Sequence, residues 1–149
     1  SADINEVVHD VIALTRHLIQ TNNVNLVLQL AENLPWISID TNQMKQVLLN
    51  LIHNALQAMK NGGELTVGTH LAKRESRGWV ILSVKDSGSG ISPEDQGRIF
   101  EPFFTTKGDR GGTGLGLSVT YGIVTDHGGI IENSSQPDYG STFEVWLPI

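Results

Sequence analysis

The stretch from Asp40 to Lys60 constrains the fold more than any other part of the chain. Its apolar residues fall at Met44, Val47, Leu48, Leu51, Ile52, Ala55, Leu56 and Met59. At ~100° per residue these positions fill one broad arc of a helix. Asp40 is a good N-cap for it, and Asn61-Gly62-Gly63 closes the far end near Lys60. An arc this wide needs an apolar layer to dock on, and the rest of the chain predicts one. Val24 to Leu30 alternates and reads as a strand, and Trp36 to Ile39, after Pro35, reads as a second short one. Glu64 to Ala72 and Trp79 to Asp86 read as two strands joined by a charged hairpin loop, Lys73 to Gly78. Ile130 to Ser134 and Thr142 to Leu147 complete the set.

Further helices are predicted on both sides of this region. Ile4 to Gln20 carries Val7, Val8, Val11, Ile12, Leu14, Leu18 and Ile19 at helical spacing, and Asn22-Asn23 stops it. Ser92-Pro93-Glu94-Asp95 has the form of a helix start, with Ser as cap and Pro in first position, for a short helix ending near Phe100. A last helix runs from about Leu115 to His127 and ends at Gly128-Gly129. Residues 101–113 carry glycine and proline without a long periodic run and read as a mobile loop. The expected fold class is α+β, a two-layer sandwich with a mixed sheet of about five strands and helices on one face.

The 149 residues suit one domain, 1–149, with a core large enough to stand without staples. The absence of cysteine removes disulfides, thiolate metal sites and a cysteine nucleophile. A formal charge of −6 argues against nonspecific nucleic-acid binding, since no basic patch stands out. No apolar run approaches the ~20 residues of a membrane span. The first residues lack the n-region and h-region of a signal peptide, so a cytoplasmic domain is expected, whether or not a parent protein is anchored in a membrane.

Three groups of residues carry chemistry beyond the fold. Asn50 and Asn54 lie one turn apart on the 40–60 helix, ~40° apart around its axis, at the border of the apolar arc. Such a pair can face a cleft while the helix stays docked, and amide oxygens suit Mg²⁺, which takes few protein ligands beside phosphates and water. Taken alone, the pair also fits plain decoration of a helix edge. Asp86 ends a strand on the same face as Val80, Leu82 and Val84, then leads into Ser87-Gly88-Ser89-Gly90. A buried carboxylate there needs a donor, and the exocyclic amine of adenine is one; Gly88 and Gly90 let the backbone pass close to a base. An Asx-turn at a strand end accounts for the same residues.

The third group is Gly111-Gly112-Thr113-Gly114-Leu115-Gly116-Leu117, where exposed N–H groups meet the positive end of a helix. No Lys-Ser/Thr follows the glycines, so the run is not a Walker A loop. No strand enters it, so it is not a dinucleotide fingerprint. A flexible glycine loop is the plain alternative.

In this order the three groups form a specific string. It resembles the ATP-binding catalytic domain of sensor histidine kinases, within the superfamily shared with gyrase, Hsp90 and MutL. The N box matches Gln46 to Ala55, the G1 box Asp86 to Gly90, the F box Phe100-Glu101-Pro102-Phe103-Phe104 and the G2 box Gly112 to Leu117. The ending from Gly140-Ser141-Thr142-Phe143 to Leu147-Pro148 is similar too, and Phe-Phe-Thr-Thr-Lys is similar to nitrogen-regulation-type kinases. The resemblance covers almost the whole chain and implies a Bergerat-type fold binding ATP with Mg²⁺.

By that resemblance Asn54 coordinates Mg²⁺, Asn50 supports the metal or phosphates, and Asp86 binds the adenine amine, with Ser141 acting through water. Gly88 and Gly90 border the base. Gly112, Thr113, Gly114, Leu115 and Gly116 give phosphate contacts, Lys107 is the basic phosphate ligand, and residues 101–113 form a lid that is mobile over 105–113 without nucleotide. The implied partners are the dimerisation and phosphoacceptor helices of a parent kinase and, downstream, a response regulator. In the related ATPases the residue one turn before the metal Asn is a glutamate that activates water. Asn50 cannot act as that base, which favours phosphoryl transfer over hydrolysis. Gln57 stands where many relatives carry Lys, which removes a phosphate contact. His9-Asp10 does not match an acceptor motif, and His17, His53, His70 and His127 are not spaced as a metal cluster. A stand-alone regulator or serine kinase of the anti-sigma type shares the implied fold, and so does a gyrase-like ATPase.

Overall fold

The computed structural model describes residues 1–101 and 116–149. The elements in chain order are α1 (Ile4–Thr21), β1 (Val24–Leu30), α2 (Thr41–Ala58), β2 (Gly63–Arg74), β3 (Arg77–Asp86), α3 (Pro93–Gln96), α4 (Gly116–Asp126), β4 (Ile130–Gln136) and β5 (Gly140–Pro148). The strands form a mixed sheet in the order β1-β2-β3-β5-β4. The β1–β2 pair is parallel, which is why α2 lies between them as a crossover. The other pairs are antiparallel and come from hairpins or returns.

All eight apolar positions of the 40–60 segment are buried, with Met44, Val47, Leu48, Leu51 and Ile52 fully so. They meet Leu65 and Val67 of β2, Val80, Leu82 and Val84 of β3, and Phe143, Val145 and Leu147 of β5 in one core with α1 and α4. Alternation along each strand puts these residues on the helix-facing side. The opposite side carries a small separate cluster, Trp79, Ile81 and Trp146, with the Arg74 guanidinium stacked 3.8 Å over Trp146 and paired with Glu132. Among the described residues no helix is long and apolar enough to cross a membrane.

The caps follow the sequence. Asp3 accepts from Asn5 N at the start of α1, Asp40 accepts from Gln43 N at the start of α2, and Ser92 accepts from Asp95 N ahead of Pro93. Where the structure departs from expectation, pairing is the reason. Trp36–Ile39 is not a strand: Ile37 makes a single isolated bridge to Ala2, and Trp36 is 66% exposed. The segment that Ile37 meets ends where Asp3 caps α1, too short to extend a ladder. The loop expected over 73–78 shrinks to Glu75-Ser76, both at positive φ (55° and 64°), because the β2–β3 register continues to Arg74 opposite Arg77. That is the twist a two-residue hairpin needs. The short helix stops at Gln96 instead of near Phe100, and α2 stops at Ala58 instead of Lys60.

Leu51→Ala is expected to lower unfolding stability by about 2–5 kcal/mol, since the side chain is fully enclosed between helix and sheet. Leu14→Ala, on the exposed side of α1, is expected to stay within about 0.5 kcal/mol. Urea denaturation of both variants checks the contrast, and equal losses would place the core elsewhere.

Candidate functional site

The candidate site residues are organised along α2. Its C-terminal end abuts the loop that follows β3: Ser89 N donates to Ala58 O at 3.2 Å, and a Cβ on Gly88 would collide with the same carbonyl. One turn back, about 6 Å along the axis, lies half-buried Asn54. A further turn back Asn50 Nδ2 donates to Gly116 O and to Thr120 Oγ, both at 3.2 Å. Gly116 is the first residue of α4, so Asn50 ties α2 to the start of that helix. Thr120, fully buried, donates back to Gly116 O at 2.8 Å. Gln46 Nε2 donates to Asn50 Oδ1 at 2.7 Å and so fixes which way the amide faces.

Asp86 sits at the end of β3, 3% exposed, on the helix-facing side. Its Oδ1 accepts from Gly88 N at 2.9 Å, the Asx-turn open from sequence. Its cross-strand partner on β5 is Ser141, 5% exposed. Ser141 Oγ accepts from Asn133 Nδ2 of β4 at 2.7 Å. Asp86, Ser141 and Asn133 therefore form a polar band across three adjacent strands at one end of an otherwise apolar face.

Both glycines after Asp86 have reasons within the chain. Gly88 fits against Ala58. Gly90 has φ 73°, and a Cβ there would strike the carbonyl of Gln136 at the end of β4. Two further bonds fasten the same loop to the β4–β5 hairpin: Ile91 N donates to Ser135 Oγ at 2.6 Å and Asp138 N donates to Ser89 O at 2.7 Å. Gln96 of α3 adds bonds to Ile91 O and Ser135 O. The loop is thus held on two sides and stands as a rigid wall beside Asp86.

Of the F box, Phe100 packs on Phe143 with centroids 6.2 Å apart and on Tyr121 at 5.4 Å. This joins the entrance of the 101–113 segment to the core. Lys107, Gly112, Thr113, Gly114 and Leu115, and the lid expected over residues 101–113 apart from Glu101, lie outside the described residues. Gln57 and His9 are exposed on their helices. His127 is a structural residue. Its Nδ1 lies 2.8 Å from Ile123 O, and its Nε2 accepts from Asp40 N at 3.0 Å, which pins the end of α4 to the start of α2.

The structure thus places Asn50 and Asn54 on α2, Gly116 at the start of α4 against Asn50, Gly88 against the end of α2, Gly90 against Gln136, and Asp86 beside Ser141 across β3 and β5. Sequence reasoning put Gln46 in the N box without a role of its own and passed over Thr120 and Asn133. A signal for the last was present: Ile131, Asn133 and Ser135 share the inward parity of β4, so a polar residue there is half-buried at the border of the core.

The donor set suits a nucleotide with a hard cation. Neutral amide oxygens at a helix edge complement phosphate oxygens and water around Mg²⁺. In this arrangement the Asn50 amide is engaged on both its atoms.

A family described as histidine kinase-, DNA gyrase B-, and HSP90-like ATPase matches residues 39–149. The chain is 40% identical over 149 residues to the sensor histidine kinase ZraS of Escherichia coli strain K12, spanning all of this chain and 31% of that protein. It spans about a third or less of the curated relatives it matches. Among solved structures it is similar to the nucleotide-free catalytic domain of the histidine kinase ThkA, with TM-score 0.83 and 32% identity, covering 99% of this chain and 95% of that one. It is also similar to ThkA in complex with the response regulator protein TrrA, with TM-score 0.79 and 30% identity, covering 98% of this chain and 40% of that one.

Gly90→Ala is expected to cost about 1–3 kcal/mol, since the left-handed backbone and the Gln136 carbonyl both oppose a side chain. Gly97→Ala meets nothing within 4 Å and is expected to stay within about 0.5 kcal/mol. Chemical denaturation of the pair tests whether the loop wall is fixed as described.

Proposed function

Since the chain belongs to the histidine kinase-, DNA gyrase B-, and HSP90-like ATPase family, whose name implies ATP as the nucleotide, we propose that it is the ATP-binding catalytic domain of a sensor histidine kinase. It transfers the γ-phosphoryl group of Mg-ATP to a histidine on the separate dimerisation helices of the kinase, in two-component signalling, on the cytoplasmic side of any membrane. A response regulator then receives the group.

The observation that supports this best is the order of groups along α2. From its C-terminal end, the helix presents the Asp86 loop, then Asn54, then Asn50 at the start of α4. Base, metal and phosphates of one nucleotide fit that order. Asp86 accepts from the adenine amine, with Ser141 beside it, and Gly88 and Gly90 shape the wall next to the base. Asn54, with Asn50 behind it, holds Mg²⁺, which when bound neutralises charge on the phosphates. The N–H groups from Gly112 to Gly116 and the Lys107 ammonium hold the phosphates. The acceptor imidazole nitrogen bonds to the γ-phosphorus as the bond to the β-phosphate bridging oxygen breaks, ADP leaves, and the imidazole N–H proton passes to solvent. Positioning and charge neutralisation suffice for this step.

An ATPase reading needs a base for water one turn before Asn54. That position is Asn50, whose amide is engaged with Gln46, Gly116 and Thr120.

Mg-ATP at ~100 times its dissociation constant is expected to stabilise the chain by ~2.7 kcal/mol, read as a rise in melting temperature. Asp86→Asn is expected to weaken adenine nucleotides at least tenfold, whereas Asn54→Ala removes the Mg²⁺-dependent part of binding. Unchanged affinities in both variants would falsify the assignment of the site. Incubated with the acceptor domain of its parent kinase and labelled ATP, the chain is expected to label a histidine there; steady ATP hydrolysis without such label argues for the ATPase.

A further inference from the structure

Thr120 and Val124 are the buried residues of α4, and both are fully enclosed. They lie one turn apart and so share a face of the helix. Valine suits that face at position 124, yet position 120 carries a hydroxyl, which burial obliges to find a partner. A threonine in a helix commonly answers by donating to the carbonyl four residues back. Thr15 does so to Val11 O at 2.8 Å, Thr125 to Tyr121 O at 3.0 Å and Thr120 to Gly116 O at 2.8 Å. Thr120 differs from the other two in a second bond: its Oγ accepts from Asn50 Nδ2, on another helix, at 3.2 Å.

The directions in this group follow from Gly116 O, which can only accept. It takes the Thr120 proton and one proton of Asn50 Nδ2. With its own proton spent there, Thr120 Oγ is the acceptor for the second Nδ2 proton. Both donors of the Asn50 amide are thus used on α4, and Oδ1 is turned away from it. A flipped amide would set Oδ1 against the Gly116 carbonyl, acceptor to acceptor. Gln46 Nε2 occupies one lone pair of Oδ1 at 2.7 Å. An amide oxygen has two, and among the described residues no other donor takes the second.

We propose that Thr120 is a positioning residue for nucleotide binding: it never touches the ligand, and it holds the Asn50 amide in the one orientation that leaves Oδ1, not Nδ2, for Mg²⁺ or its bound water. This rests on the reading of Asn50 and Asn54 as the residues that serve the metal and phosphates, and the test separates the two. ATP affinity is measured by calorimetry with saturating Mg²⁺ and again in excess chelator, for the chain and for Thr120→Val, Thr120→Ser and Thr125→Val. Valine keeps the shape of threonine without the hydroxyl, and serine keeps the hydroxyl without the methyl. Thr125 makes the same bond within α4 but is exposed and has no tie to α2.

In Thr120→Val the ratio of the two affinities is expected to fall about threefold to tenfold, the size of one lost hydrogen bond. Thr120→Ser and Thr125→Val are expected to keep the parent's ratio within about twofold. Should Thr120→Val not fold, Thr120→Ala, which brings the best helix former to the position, carries the same expectation. A Thr120→Val chain that binds more weakly with and without Mg²⁺ alike, or that keeps the parent's ratio, overturns the positioning role and leaves the metal reading in place. A Thr120→Ser chain that falls with Thr120→Val overturns it too, since the methyl group would then carry the effect. A parent chain whose ATP affinity does not depend on Mg²⁺ overturns the metal reading and this inference together.

Discussion

The docking of α2 on the sheet is the constraint on which the rest depends. Its apolar arc is fully enclosed, so the helix cannot rotate without exposing Leu48, Leu51 or Ile52. With rotation fixed, the border of the arc has a fixed heading, and Asn50 and Asn54 stand on that border. The placing of these two amides is inherited from a hydrophobic interface that contains no functional group. The same helix is anchored at both ends, by Ala58 against the loop after Asp86 and by the Asp40 amide on His127.

The loop after Asp86 serves the fold and the site with the same residues. Gly88 and Gly90 are needed first by the protein, to let main chain meet main chain at Ala58 and Gln136. Because these contacts leave no slack, the carboxylate of Asp86 is delivered at one place, with one oxygen already oriented by Gly88 N. A preformed acceptor of this kind recognises a donor without an ordering cost at the moment of binding. Asn50 has an analogous character at the other end. Held by Gln46 and bonded to Gly116 and Thr120, it acts on the start of α4, the helix whose amino end follows the glycine run.

Much of this was legible in the residues. The period of 3.6 between Met44 and Met59, the alternation along Val80 to Asp86, and the caps at Asp40 and Ser92 each follow from local chemistry. Asp86 could be placed at the buried end of a strand because its parity matches Leu82 and Val84. What was not legible depended on partners far along the chain. Trp36 to Ile39 has strand-like composition, but its bridge to Ala2 is an isolated one, so no ladder forms. Thr120 reads as one more residue of a helix until α2 brings Asn50 against it.

By itself the sequence determined which residues point inward on each element and where each element is capped, because those properties repeat with the local backbone period. It also determined the order of Asn54, Asp86 and the glycine run along the chain. Only the tertiary structure decided that Asp86, Ser141 and Asn133 stand side by side, and that Asn50 faces α4. Those pairings come from strand order β3-β5-β4 and from the α2–α4 packing, which join residues tens of positions apart and leave no mark on any local pattern.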